Sequence, residues 1–288
     1  MNWTALRITP DTNRDGVIAA LFASGSQGVF EDGLSLVTHF PPDARIDEIR
    51  SGVLSADPHA EVVVSSTPAL DYSEWRASVS AHTIGAITIS PPWLASHDAS
   101  AVGSARNAPI APVRAGTMEV VIEPAMAFGT GEHPTTRGVV LLMQGLIREG
   151  DVVADLGAGS AVLAIAAAKL GAARVAAIEL DHDAIENAEQ NVRANGVENR
   201  VEVIEGDAST LLPLLAPVRV ILANIISSVL IPLLPMFRSA LAPDGQAILS
   251  GILREERANF VAALATDGWL IERETTEDVW WTVRIAPR

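Results

Sequence analysis

The sequence contains no cysteine. That absence removes disulfides, thiolate nucleophiles, cysteine-ligated zinc and iron–sulfur clusters together, and makes the cytoplasm the expected compartment. Positive charge is also scarce, since 20 basic residues face 35 acidic ones for a formal charge of −15. This is the wrong sign for an affinity built on neutralising phosphates, so no direct nucleic-acid binding is expected and a basic protein or a small molecule is the better-matched partner. The N-terminus, Met1-Asn2-Trp3-Thr4, lacks the basic region and apolar core of a secretory signal. One long uncharged stretch, Val220 to Phe237, contains Asn224, Ser227, Ser228, Pro232 and Pro235. Those polar residues and prolines fit a buried strand, a turn and a helix better than a membrane span, which needs roughly 20 apolar residues. With no heptad pattern or broad apolar stripe, the chain is expected to be monomeric.

What the sequence does have is apolar content, 49% of 288 residues, enough to bury a large core in one or two domains. Residues 1–95 mix β-type runs (Trp3 to Ile8, Ala60 to Ser65, Ile84 to Ile89) with helical ones (Asp15 to Ala23, Ile46 to Ser55), a small α+β domain. Residues 96–116 are aperiodic and rich in Ser, Ala, Gly, Asn and Pro, as a linker would be. From 117 to 288, apolar strands at Asp151 to Leu156, Arg174 to Glu179, Val201 to Glu205, Arg219 to Asn224 and Gln246 to Gly251 alternate with helices. These helices run Thr135 to Ile147, Ala161 to Leu170, Asp183 to Asn195, Ser227 to Leu241 and Arg254 to Ala265. Apolar strands separated by helices predict an α/β fold, a doubly wound parallel sheet covered on both faces. The runs Trp269 to Glu274 and Val279 to Ile285 predict an antiparallel hairpin added to that sheet. Asp183 and Glu186 are expected to cap the third of these helices.

The first strand of the second domain runs into Asp155-Leu156-Gly157-Ala158-Gly159-Ser160-Ala161-Val162. Glycines after a strand let a cofactor touch backbone, although the same turn also serves tight packing. Dinucleotide sites want a small residue five positions after the first glycine, and Val162 stands there. Glu179 ends the next strand, where a carboxylate accepts bonds from ribose hydroxyls, or is simply solvated. Asp207, in the loop after the third strand, is placed to approach an adenine or is an ordinary loop acid. Upstream, Ala127-Phe128-Gly129-Thr130-Gly131-Glu132-His133-Pro134-Thr135-Thr136-Arg137 has a density of glycine and hydroxyl that suits close approach to a ligand, with Phe128 and Gly129 as candidate cofactor contacts. Thr135 or Thr136 would otherwise cap the following helix, and His133 is expected to be structural because no second ligand at metal spacing accompanies it. Asn224 ends the fourth strand and is suited either to accept a bond from an incoming amine or to cap the next helix.

Taken together, Phe128-Gly129-Thr130-Gly131-x-His133-Pro134-Thr135-Thr136, Asp155-Leu156-Gly157-x-Gly159-Ser160, Ala223-Asn224-Ile225 and Leu249-Ser250-Gly251-Ile252-Leu253 resemble the ribosomal protein L-eleven (L11) methyltransferase family, PrmA. The resemblance runs from about Glu123 onward; Asp71-Tyr72-Ser73-Glu74-Trp75-Arg76 and Ile89-Ser90-Pro91-Pro92-Trp93 match more loosely the family's substrate-recognition region. It implies a class I, Rossmann-like methyltransferase fold, S-adenosyl-L-methionine as cofactor, and L11 as protein substrate, methylated on lysine ε-amines and an N-terminal α-amine. Thr136, Gly157, Gly159, Glu179 and Asn224 would then contact the donor, with Asn224 also catalytic. Three positions depart from the family pattern: Glu132 for a small or polar residue, Ala161 for glycine, and Glu179 for aspartate. Ala161 is expected to crowd the methionine end of the donor. The alternatives are methylation of another protein, a small molecule or RNA, a nicotinamide oxidoreductase, and a non-catalytic cofactor-binding module.

Overall fold

A computed structural model describes residues 3–26, 29–32, 35–41, 44–67, 79–95, 117–124, 129 and 131–288. The expected linker at 96–116, the 71–76 motif, Phe128 and Thr130 lie outside the described residues. The chain divides into two compact units, Met1–Ser78 and Val79–Arg288.

The first unit runs β1 (Trp3–Thr9), α1 (Arg14–Ala23), β2 (Phe30–Asp32), β3 (Ser35–Phe40), α2 (Ile46–Ala56) and β4 (Glu61–Thr67). Its antiparallel sheet has the order β2-β3-β1-β4, the split βαβ arrangement of ferredoxin-like units. Leu6, Ile8, Leu36 and Phe40 of the sheet pack on Val17 and Leu21 of α1 and on Ile49 and Val53 of α2. Strand β3 escapes sequence reading because its polar Thr38 is buried, hydrogen-bonded to Ser26 at 2.7 Å, while the apolar Val37 is more exposed than its neighbours Leu36 and Thr38.

Asp57, after α2, ties this unit together by accepting the backbone N–H groups of Asp11, Thr12 and Asn13 at 2.8, 2.9 and 3.0 Å. The bond from Asn13 leads in lowering its pKa from 3.8 to about 2, against the opposing effect of burial. A depressed carboxylate stabilises the fold fully above its unfolded pKa and loses that contribution as pH falls through the folded one. Asp57→Asn should therefore remove part of the acid dependence of unfolding between pH 3.8 and about 2, read from urea midpoints at each pH.

The second unit begins with a three-stranded sheet of β5 (His82–Ile84), β6 (Ile87–Ser90) and β7 (Met118–Val121), in which β5 pairs antiparallel and β7 parallel to β6. Ile84 to Ile89, expected as one strand, is a hairpin turning at Gly85, whose φ is +60°. The expected domain boundary at 95 thus falls beyond two strands that pair within this unit.

Then follow α3 (Pro134–Met143), β8 (Val152–Leu156), α4 (Val162–Lys169), β9 (Arg174–Glu179), α5 (His182–Ala194), β10 (Val201–Glu205), α6 (Ala208–Leu215), β11 (Val218–Asn224), α7 (Ser227–Ala240), β12 (Leu241–Leu253), α8 (Arg257–Thr266), β13 (Trp269–Glu277) and β14 (Trp280–Pro287). The seven-stranded sheet has the order β10-β9-β8-β11-β12-β14-β13, parallel from β10 to β12 and extended by the antiparallel hairpin. Consecutive strands diverge on either side of β8, and the carboxyl ends of β8 and β11 frame the crevice where such sheets bind ligands.

One face buries Val153, Val175, Val220, Leu222 and Ile248 against α3, α4 and α5. The other buries Ala154, Leu156, Ile221 and Leu249 against α6, α7 and α8. Helix α4, Val162-Leu163-Ala164-Ile165-Ala166-Ala167-Ala168-Lys169, is buried at every position but the last, and its small alanine side chains suit close packing on the sheet.

Two local expectations change. Helix α5 is capped by Asp181, which accepts from Asp183 N at 3.1 Å, and not by Asp183 itself. Helix α6, absent from the sequence reading because Pro213 interrupts a short Leu-rich run, is capped by Asp207. No helix among the described residues is long and apolar enough to cross a membrane; the uncharged stretch is divided between β11 and α7.

Candidate functional site

A pocket of about 420 Å3 opens at the carboxyl ends of the strands and brings Gly157, Glu179 and Asp207 together beside the apolar Ile178, Ile225, Val229 and Pro232. A second recess of about 430 Å3 lies at the other end of β8, β9 and β10 and contains none of the expected site residues.

The turn after β8 depends on glycine at Gly157, where φ is +70° and a Cβ would stand 2.7 Å from Ile225 Cγ2. Both Gly157 N and Ala158 N donate to Ile178 O, which fastens the turn to the adjacent strand. Glu179 holds the same turn from the side: one carboxylate oxygen accepts from Gly159 N at 2.7 Å, the other from Leu180 N and Asp181 N at 2.8 and 2.9 Å. A carboxylate offers about four lone-pair sites, so with three N–H bonds made, acceptor capacity remains for a further donor. Asp207 accepts from Ser209 N at 2.6 Å while lining the pocket, so it is both a cap and a pocket wall. Its pKa is lowered chiefly by hydrogen bonds from Ser209, which keeps it an acceptor.

Ala161 occupies a left-handed conformation, φ +64°, at the N-cap of α4, fully buried. For a residue with a Cβ this costs about 1–2 kcal/mol relative to glycine. Directly behind the turn, Asp155 is buried with its Oδ2 accepting from Ala164 N at 2.9 Å and its Oδ1 without a partner among the described residues. Burial, reinforced by the charge of Glu179 and opposed by the Ala164 bond, pushes its pKa up to about 7.

The glycine- and threonine-rich segment leads into α3. His133 is the N-cap, Pro134 takes the first helical position, and His133 Nδ1 lies 2.7 Å from Thr135 Oγ1. The alternative reading of Thr135 or Thr136 as the cap of this helix therefore does not apply, and His133 has the structural role expected of it. Burial, then the neighbouring Arg137 charge, lowers the His133 pKa and favours the neutral ring that a cap acceptor needs. Thr136 is fully buried and its Oγ1 has no partner among the described residues. Gly129 adopts φ +108°, and its carbonyl accepts from Ser160 Oγ at 2.8 Å, which brings this segment against the turn after β8.

Asn224, at the end of β11, is partly exposed and makes no side-chain hydrogen bond to any described residue. The following helix is capped at Ile226, so Asn224 is not its cap. Ser250 is its register partner on β12 and donates to Thr135 O at 3.2 Å, with Thr282 Oγ1 2.7 Å away. That bond connects the Asn224 strand end to the first turn of α3. Thr136, Gly129, Gly159 and Asn224 are not among the residues that line this pocket. Among the described residues no group of three His, Cys, Asp or Glu side chains is arranged to hold a metal ion.

The model of the family "Ribosomal protein L11 methyltransferase (PrmA)" matches residues 25–287. The chain belongs to this family. The Ribosomal protein L11 methyltransferase of Myxococcus xanthus is 32% identical over 248 residues, 85% of this chain and 79% of that relative. The one from an Exiguobacterium species is 42% identical over 161 residues, 56% of this chain and 51% of the relative. The match thus spans about half the length of several curated relatives. The crystal structure of the ribosomal protein L11 methylase from Lactobacillus delbrueckii subsp. bulgaricus superposes with a TM-score of 0.61 at 27% identity, covering 73% of this chain and 100% of that one. The expected class I methyltransferase architecture is the one this PrmA-family chain adopts.

Sequence reading misses three features of this family member's site. Gly251 stands there only as part of a motif, yet its φ of +82° brings Ile225 O to within 2.5 Å of where a Cβ would stand. Ser250 carries a detectable signal, a hydroxyl within an apolar strand. Arg137 and Glu277 pair across 140 positions and carry none.

Proposed function

We propose that the chain is an S-adenosyl-L-methionine-dependent methyltransferase that modifies amino nitrogens of ribosomal protein L11, lysine ε-amines and an N-terminal α-amine. The observation that carries this reading is the strand-end pocket in which the Gly157 turn and the Glu179 carboxylate meet. The donor set suits the cofactor. The Gly157 cradle would be filled by a Cβ, Glu179 keeps acceptor capacity for ribose hydroxyls, and the apolar wall of Ile178 and Ile225 suits an adenine. Thr136 supplies a buried hydroxyl that still lacks a partner among the described residues. Gly129, Gly159 and Phe128 complete the proposed donor contacts, with Asp207 toward the base. When bound, the cofactor supplies a methyl group on a sulfonium that is already activated for displacement.

The chain's own task is then orientation more than activation. Asn224 Oδ1 accepts an N–H of the incoming neutral amine and so turns its lone pair toward the donor. The neighbouring apolar Ile225 and Ile226 disfavour the charged ammonium. The first unit and the 96–116 segment are assigned to substrate recognition and linkage, and the charge of −15 complements a basic substrate.

Transfer of radiolabelled methyl from S-adenosyl-L-methionine to purified L11, with ribosomal RNA and bulk lysate as parallel acceptors, tests the proposal. Label on L11 supports it; label confined to RNA or to another protein overturns the substrate, and donor binding without any transfer overturns the catalysis. A separate expectation concerns Thr136→Val. Removing a buried unpartnered hydroxyl should raise the stability of the ligand-free protein by about 1 kcal/mol. The same change should weaken donor binding about tenfold, because a donor hydrogen bond is lost. Urea melts and calorimetry read these opposite signs, and a drop in both stability and affinity would contradict the assigned role.

A further inference from the structure

We infer that Glu277, in the last hairpin of the chain, is a positioning residue for the donor site, acting through Arg137 on the first turn of α3. The inference rests on the donor-site reading above. The segment that delivers Thr136 contains Gly129 and Gly131, both at positive φ, and must be held by contacts from outside itself. Ser160 holds it at Gly129 O and Ser250 holds it at Thr135 O. A third hold comes from the β13–β14 hairpin.

Arg137 follows Thr136 directly in the chain. Its Nε reaches both Glu277 carboxylate oxygens at 3.0 and 3.2 Å, and one terminal nitrogen bonds Glu277 as well. The other terminal nitrogen donates to Glu132 O, on the near side of the same segment. One guanidinium thus joins the two ends of the Glu132–Arg137 turn to a carboxylate on another element, the planar geometry for which arginine is suited and lysine is not. Three residues beyond Glu277, the Trp280 ring meets the His133 cap edge-on, with centroids 5.1 Å apart. Two contacts from one hairpin therefore grip both the cap and the first turn of α3, and Thr136 lies between them in the chain.

The fold itself does not depend on the Glu277 carboxylate. Its side chain is 44% exposed, and the hairpin is held by backbone pairing through Glu277 and Trp280. Loss of the carboxylate should consequently loosen the Thr136 segment without unfolding the hairpin. The mark of such an anchor is weaker donor binding with preserved turnover once donor saturates.

The test uses the full chain and S-adenosylhomocysteine as the calorimetric probe, with E277Q, R137K, the charge-swapped pair R137E/E277R, and E272Q as a control of equal charge change on the same strand. E277Q and R137K should each weaken binding about tenfold, with kcat at saturating donor and L11 within about twofold of wild type and the melting midpoint within about 2 °C. E272Q should bind as wild type does, and the swapped pair, which restores the ion pair but leaves Glu132 O without its donor, should recover only part of the affinity lost in E277Q. Unchanged binding in E277Q overturns the anchor, as does a fall in kcat without a change in affinity. A wild-type chain that takes up no S-adenosylhomocysteine overturns the donor-site reading itself, which the E277Q comparison alone would not.

Discussion

Asn224→Ala should lower the turnover number at least about a hundredfold while moving the unfolding midpoint by no more than about 3 °C. The two halves of this expectation have separate sources. Asn224 is partly exposed and its side chain bonds no described residue, so truncation leaves no buried orphan and opens no cavity. Its backbone place is fixed by parallel pairing with Ser250 on β12, which the substitution does not touch. What disappears is the polar side chain at the end of β11, between the Gly157 turn and the α7 N-terminus. An amine that is no longer oriented spends most of its encounters with its lone pair misdirected, and a misplacement on the order of 1 Å is enough for a loss of about a hundredfold. Steady-state kinetics with saturating donor, run beside urea melts, separate the two effects. A turnover number that survives the change would remove Asn224 from the reaction, and a large loss of stability would make it a structural residue. Asn224→Asp keeps the acceptor and adds a charge, so it should retain more activity than alanine if acceptance of an N–H is the role.

The elements that sequence discloses best are the central parallel strands. Arg174–Glu179 has the limits expected from its apolar run, and Val152–Leu156 and Val218–Asn224 differ from expectation by one residue at one end. Such strands are covered on both faces and show no polar alternation to confuse the reading. Strand β12 is legible only from Gln246, because the preceding run Ala242-Pro243-Asp244-Gly245 carries turn chemistry and reads as a loop. The glycine turn and the strand-end acid are equally visible, since φ near +70° at Gly157 and a carboxylate at Glu179 are local requirements written at fixed spacing. Partners distant in sequence are not visible. Nothing near Arg137 announces Glu277, and nothing in Val152-Val153-Ala154-Asp155-Leu156 says that the carboxyl is buried with one oxygen unpaired and a pKa raised to about 7. The departure at Ala161 reads from sequence as crowding near the ligand; its physical expression is a left-handed backbone at a helix cap, a strain on the fold itself.

Gly251→Ala is the substitution expected to damage the fold most. At φ +82° the new side chain meets a conformational penalty of about 1–2 kcal/mol. Its Cβ would also stand 2.5 Å from Ile225 O, 2.8 Å from Ile225 C and 3.1 Å from Ile225 N. These are backbone atoms, so no rotamer change relieves the overlap, and overpacking of this kind adds about 1–3 kcal/mol. The sum is a loss of about 2–5 kcal/mol in unfolding free energy, measurable by urea denaturation. Gly196→Ala provides the comparison, because Gly196 has φ +64° and nothing within 4 Å of an added Cβ, so it should show the conformational part alone. The difference between the two variants isolates the close approach of β12 to Ile225. That approach also bears on the site: relieving it means moving Ile225 away from Gly251, and Ile225 both follows Asn224 and forms the wall against which the Gly157 turn is packed. Gly251→Ala protein that remains folded at low temperature should accordingly bind S-adenosylhomocysteine more weakly and turn over more slowly than Gly196→Ala protein. Equal stability of the two variants would mean that the strand end yields freely, and the rigid placement of Asn224 would then need another source.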